Sequence, residues 1–96
     1  MRKAYVYILT NIERTTIYTG VTSKLNQRIW DHKQGKGSKF TAKYKLTILI
    51  YAEEFDSISD AIAREKQLKA WRKKWKWELI QKSNPELIDW YPTLRG

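Results

Sequence analysis

Six polar side chains stand out by type and spacing: Tyr7, Tyr18, Arg28, His32, Glu65 and Asn84. Together they supply what attack on a phosphodiester requires, namely preparation of a nucleophilic water, a cation for the non-bridging oxygens and help for the leaving oxygen. Arg28 offers a charged fork matched to a phosphate, which strengthens as charge develops in the transition state and which lysine would imitate less well. Glu65 is the candidate metal ligand. Magnesium keeps several waters and needs only one or two protein carboxylates, so one Mg²⁺ or Mn²⁺ on Glu65 is chemically sufficient. A phenol titrates at about pH 10, so Tyr7 or Tyr18 acts as a base only where neighbouring positive charge favours the phenolate, and Arg28 and the metal are the sources of that charge. His32 can relay the proton or hold a tyrosine, and Asn84 can orient a ring or a water through its amide.

Elements that could position these groups follow from the surrounding pattern. Ala4 to Thr10 is aromatic and β-branched and predicts a strand with Tyr5, Tyr7 and Leu9 on one face. Asn11 to Thr15 is turn material and Thr16 to Val21 is β-prone, which predicts a hairpin bringing Tyr7 and Tyr18 together near its surface. Thr22 or Ser23 can cap a helix to about Gln34, with Gly35 as a left-handed stop. Arg28 and His32 then share the face that carries Leu25, where aliphatic residues are usual. After a basic loop, Leu46 to Glu53 reads as a central strand, the third of the sheet.

Asp56 or Ser57 starts the next helix, whose apolar side passes through Ile58, Ala61, Ile62 and Leu68 and includes Glu65. A carboxylate facing a core costs several kcal/mol to desolvate unless it is paired, holds a cation or opens into a cleft. Leu68 to Ser83 is helix-compatible, and two helices are expected there because one would be long for so small a domain. Pro85 steers Asn84 away from helical angles, so Asn84 ends the helix with its amide free to reach inward.

Ninety-six residues with no linker-like stretch predict one domain, 1–96. A formal net charge of +9 attracts polyanions, nucleic acid foremost. Candidate phosphate contacts are Lys36, Lys39, Lys43 and Lys45 in the basic loop, and Arg72, Lys73, Lys74 and Lys76 interleaved with Trp71 and Trp75. No cysteine and a single histidine exclude a disulfide framework, a thiolate nucleophile and a structural zinc cage. No apolar run approaches bilayer length, and the basic aromatic helix needs its apolar face for the core, so a cytoplasmic protein without membrane binding is expected.

Tyr5-Val6-Tyr7 and Tyr18-Thr19-Gly20, followed by Arg28, His32, Glu65 and Asn84, closely resemble the GIY-YIG nuclease family over about Ala4 to Asn84. The likeness is strongest to small stand-alone members similar to the N-terminal nuclease domain of the ABC excinuclease. It implies an α/β domain of α+β type, a three-stranded antiparallel sheet flanked by helices. It further implies a metal-dependent DNA endonuclease of repair or recombination, with paired tyrosines at Tyr7 and Tyr18, an arginine on the first helix at Arg28, a histidine or tyrosine one turn later at His32, a metal-binding glutamate at Glu65 and a late asparagine at Asn84. Tyr5 stands where the family name has glycine, and Thr19 where it has isoleucine, and neither change removes a side chain that performs chemistry. Larger relatives attach domains that choose the DNA site, so a targeting protein partner is an expectation. Against this stand plainer readings: tyrosines that only pack, Glu65 paired with Lys69 on a solvated helix, a catalytically weak or partner-dependent nucleic-acid-binding module of the same fold, or an adaptor in a repair complex.

Overall fold

The computed structural model describes residues 3–94; of the span expected as one domain, 1–2 and 95–96 lie outside the described residues. Strands β1 (Ala4–Thr10), β2 (Ile17–Thr22) and β3 (Ile48–Phe55) form an antiparallel sheet in the order β2-β1-β3. Helices α1 (Leu25–Lys33) and α2 (Lys39–Lys43) lie between β2 and β3, and α3 (Ile58–Ala70), α4 (Lys73–Ser83) and α5 (Tyr91–Leu94) follow. The expected α+β architecture is present.

Alternation of side chains sends each strand's residues to two different cores. On one face Tyr7, Leu9 and Leu49 are buried with Leu25 and Ile29 of α1, and Trp90, Tyr91 and Leu94 pack against them. On the other, Ala4 and Val6 meet Ala61 and Leu68 of α3, while Ile8, Ile50 and Tyr51 meet Ile80 of α4. Ala61 and Leu68 thus carry the α3 contact; Ile58 and Ile62, expected beside them, are exposed.

β1, not β3, is the central strand. The apolar run in β3 is explained by its covered outer edge. The Leu49 N–H donates to Asp89 Oδ1 at 3.1 Å, and the Leu49 carbonyl accepts from the Trp90 N–H at 2.7 Å. A C-terminal segment therefore satisfies backbone groups that a bare edge would leave open. The β1–β3 register slips between Ile8 and Leu9, which pair with Tyr51 and Leu49 and leave Ile50 as an extra residue.

Local signals mostly act as expected. The Ser57 hydroxyl accepts from the Asp60 N–H at 3.2 Å to cap α3. Gly35 is left-handed, with φ of 76°, just after α1. Trp71 and Arg72 adopt extended angles, ψ of 152° and 147°, and separate α3 from α4. The start of α1 differs: its cap residue is Lys24, without a side-chain cap bond, and the Thr22 hydroxyl accepts the Lys24 N–H at 3.0 Å. The basic loop is also not wholly irregular. Ser38 caps α2 by accepting the Thr41 N–H at 3.1 Å. Among the described residues no helix is long and apolar enough to cross a membrane.

Candidate active site

The antiparallel register places Tyr7 opposite Gly20. A Cβ on Gly20 would lie 2.4 Å from Tyr7 Cζ and 2.5 Å from its Oη, so the glycine is the space through which the Tyr7 ring crosses β2. Tyr18, two residues earlier, points to the same face, and the two ring centroids are 6.3 Å apart. The meeting is not at the surface: Tyr7 is 0% exposed.

One helical turn separates Arg28 from His32, so α1 delivers both to Tyr7. Tyr7 Oη lies 2.9 Å from His32 Nε2, and Arg28 Nε donates to the same oxygen across a longer 3.4 Å. His32 is 1% exposed, and its Nδ1 lies 2.9 Å from Thr41 Oγ1 on α2. The loop after α1 closes against the ring at Gly37, where a Cβ would sit 2.0 Å from His32 Nδ1. Tyr18 also packs on His32, centroids 5.7 Å apart, and on Phe40 of α2 at 6.2 Å.

Glu65 arrives from α3, on the opposite face of the sheet. Its side chain is only 14% exposed and accepts from Lys69 Nζ at 3.0 Å. The same ammonium stands 5.9 Å from the Tyr18 ring centroid, so this pair reaches round the outer edge of β2 towards the tyrosines. Glu65 is thus both partly buried and paired with Lys69.

Asn84 is not brought into this cluster. It caps α4 and is buried, and its Nδ2 donates to the carbonyls of Ile50 and Ile88 at 3.1 and 2.9 Å, while its Oδ1 accepts from the Ile88 N–H at 3.1 Å. The amide does reach inward, but it is committed to backbone at the β3 bulge.

Electrostatics depart from the expectation of an activated phenolate. Burial pushes Tyr7 up to about 12; the Arg28 hydrogen bond acts in the lowering direction, and the Tyr18 and Glu65 charges oppose it. Arg28 itself is raised, chiefly by its bond to Tyr7. Burial, and then the Arg28 charge, pull His32 down to about 4, so the imidazole is neutral near neutral pH. The unfolded chain binds a proton at about pH 6.5 that the folded site refuses until about pH 4. Stability from this group is therefore complete above about pH 6.5 and is lost as pH falls through that window, by on the order of 3 kcal/mol. Urea midpoints at about pH 7.5 and 4.5 should separate for the wild type and converge in His32→Gln; an undiminished gap in the variant would assign the loss to carboxylates.

The candidate phosphate contacts fall in two groups. Lys36, Lys39 and Lys43 are exposed on the loop and α2, whose Phe40 and Thr41 touch Tyr18 and His32. Arg72, Lys73 and Lys74 are exposed at the start of α4, and Lys73 Nζ donates to the Thr15 carbonyl at 2.8 Å. Lys76 is half-buried, and burial and then the Lys69 and Lys73 charges lower its pKa; of these lysines Lys69 stands over the Tyr18 ring. Trp71 and Trp75 meet edge to face at 6.3 Å under the guanidinium groups of Arg64 and Arg72.

Among the described residues no three His, Cys, Asp or Glu side chains gather as a metal cage. A single partly buried carboxylate next to a basic cluster that can gather phosphate oxygens nonetheless fits a hard, hydrated ion such as Mg²⁺, provided Lys69 yields its place on Glu65.

The family model described as the GIY-YIG catalytic domain matches residues 3–84. The chain is 37% identical over 81 residues to a UPF0213 protein of Staphylococcus haemolyticus, covering 84% of this chain and 98% of that protein. It is 40% identical over 87 residues to one from Syntrophus aciditrophicus, covering 90% and 98%. The solution NMR structure of a UPF0213 protein from Bacillus halodurans superposes with a TM-score of 0.57 at 30% identity, covering 88% of each chain.

Proposed function

The chain belongs to the GIY-YIG catalytic domain family, and from that premise we propose that it is a divalent-metal-dependent endonuclease that hydrolyses phosphodiester bonds in DNA. The observation that carries this reading is the hydrogen-bonded cluster of Tyr7, Arg28 and His32, set beside Tyr18, whose ring is approached by the Lys69 ammonium that Glu65 holds.

Among the described residues Arg28 hydrogen-bonds through its Nε alone, to Tyr7, which leaves its Nη groups to grip a phosphate. In the free protein Tyr7 is enclosed, and the long Arg28 bond is the part of that enclosure for which a phosphate can compete. Withdrawal of the guanidinium towards the scissile group would uncover the Tyr7 oxygen, which then takes a proton from the attacking water. His32 Nε2, 2.9 Å from Tyr7 Oη, receives the proton that Tyr7 gives up. Glu65 would hold one Mg²⁺ or Mn²⁺, which when bound neutralises charge on the phosphate and makes a coordinated water more acidic. The basic groups on α2 and α4 track the backbone of the nucleic acid. Asn84 enters as a brace of the β3 bulge rather than as a group that touches phosphate. The setting in repair or recombination rests on the resemblance to the excinuclease domain alone.

Cleavage of labelled linear, nicked, flapped and four-way-junction DNA in Mg²⁺, Mn²⁺ and EDTA tests the reading. Metal-dependent cutting of at least one shape is expected. Binding without cutting in every condition would favour a nucleic-acid-binding module of the same fold.

A further inference from the structure

We propose that Thr41 and Ser38 complete a neutral proton relay with His32 and Tyr7, in which Thr41 is the positioning residue that selects the His32 tautomer and opens an outlet on the side away from the substrate. The inference rests on the nuclease reading for its use, but not for its geometry.

Four groups form a continuous chain: Tyr7 Oη to His32 Nε2, His32 Nδ1 to Thr41 Oγ1, and Thr41 Oγ1 to Ser38 Oγ, each step 2.9 Å. The first three residues are buried, and Ser38 is partly exposed. Thr41 and His32 also line a surface cavity of about 650 Å³, walled by Ile12, Tyr44 and Lys45 among others. Tyr7, Tyr18, Arg28 and Glu65 do not line it, so it opens behind the imidazole.

Bond directions follow from what each partner can do. The Thr41 hydroxyl has two acceptors on Ser38, its Oγ at 2.9 Å and its carbonyl at 3.2 Å, and the relay uses the shorter contact to Oγ. With the Thr41 proton directed at Ser38, His32 supplies the hydrogen on Nδ1, and its Nε2 is left as the acceptor of the Tyr7 proton. When water attacks, its proton passes to Tyr7 Oη, that of Tyr7 to Nε2, that of Nδ1 to Thr41, that of Thr41 to Ser38 Oγ, and that of Ser38 to solvent. One proton enters and one leaves; the water oxygen forms the new bond to phosphorus as the bond from phosphorus to the leaving oxygen breaks, and His32 ends as the Nε2–H tautomer. The leaving oxygen, on the opposite side of phosphorus, takes a proton from solvent, and reverse passage of a solvent proton through the relay after product departs restores the starting state. Neither phenolate nor imidazolium need form, which resolves the difficulty that burial holds Tyr7 up at about 12 and His32 down at about 4.

His32 is the sole histidine of the chain, so its ring nitrogens can be assigned without ambiguity. Proton–nitrogen correlation NMR near neutral pH should show Nδ1–H in the wild type, loss or mixing of that tautomer in Thr41→Val, and its return in Thr41→Ser. Cleavage should fall at least tenfold in Thr41→Val with DNA affinity unchanged, and recover in Thr41→Ser. An Nε2–H or charged ring in the wild type, or a Thr41→Val variant with native tautomer and rate, would overturn the proposal. The tautomer needs no turnover: a wild type that never cuts DNA defeats the nuclease reading, while the NMR result still decides what Thr41 does to the ring.

Discussion

Glu65→Gln is expected to lower metal-dependent cleavage by about a thousandfold or more while leaving DNA affinity intact, because several kcal/mol of transition-state stabilisation depend on one carboxylate. Glutamine keeps the volume and the hydrogen-bonding edge, so packing against α3's neighbours changes little. The pair lost with Lys69 is half-exposed on the lysine side and contributes at most about 1 kcal/mol to folding. Affinity is set by the basic surface and the +9 net charge, to which removal of one negative charge adds. Single-turnover cleavage and a mobility-shift titration, run on the same DNA, separate the two effects. Cleavage that survives unchanged would sink the metal site at Glu65; equal loss of binding and cleavage would show Glu65 acting through structure, with Lys69 released into the DNA path.

What the chain's pattern reveals in advance divides along a physical line. β1 and β2 are legible because their β-branched and aromatic residues alternate between two buried faces, and Arg28 with His32 is legible because residues four apart on a helix share a face. Strand order is not, since Leu49 looks equally buried beside another strand or beneath the Asp89–Trp90 segment that covers the β3 edge. Thr41 and Ser38 escape notice for a different reason. They are small polar residues in a basic loop, ordinary turn material, and Thr41 meets His32 only because the chain turns at Gly35 and passes close against the ring at Gly37. Ser38 followed by Thr41 carries a faint cap signal and no hint of an imidazole. The inward amide of Asn84 is foreseeable from Pro85, but its partner, the Ile50 carbonyl, is set by a register slip that no local pattern encodes. Tyr7 is the clearest case: Arg28 does approach it, yet burial of the phenol outweighs that charge, and burial belongs to the whole fold.

Tyr7→Phe is expected to cost about 10²- to 10⁴-fold in cleavage rate, the usual worth of a positioned acid–base group, and to do so without disturbing the ring's place against Gly20. The lost oxygen is the shared partner of two groups. His32 Nε2 would be left buried without its Tyr7 partner, which costs about 1–3 kcal/mol of stability, whereas Arg28 Nε can turn to solvent. Tyr18→Phe is the informative companion, because its ring is held by packing on Tyr7, His32 and Phe40, and its hydroxyl makes no hydrogen bond among the described residues. If Tyr7 feeds the attacking water's proton to His32, the Tyr7 variant loses both rate and stability and the Tyr18 variant loses less of each. The opposite ranking, with Tyr18→Phe inactive and Tyr7→Phe merely less stable, would make Tyr18 the group that meets the water and reduce Tyr7, His32 and Thr41 to the wall behind it. The rates and urea midpoints of these two variants therefore decide which side of the tyrosine pair faces the chemistry.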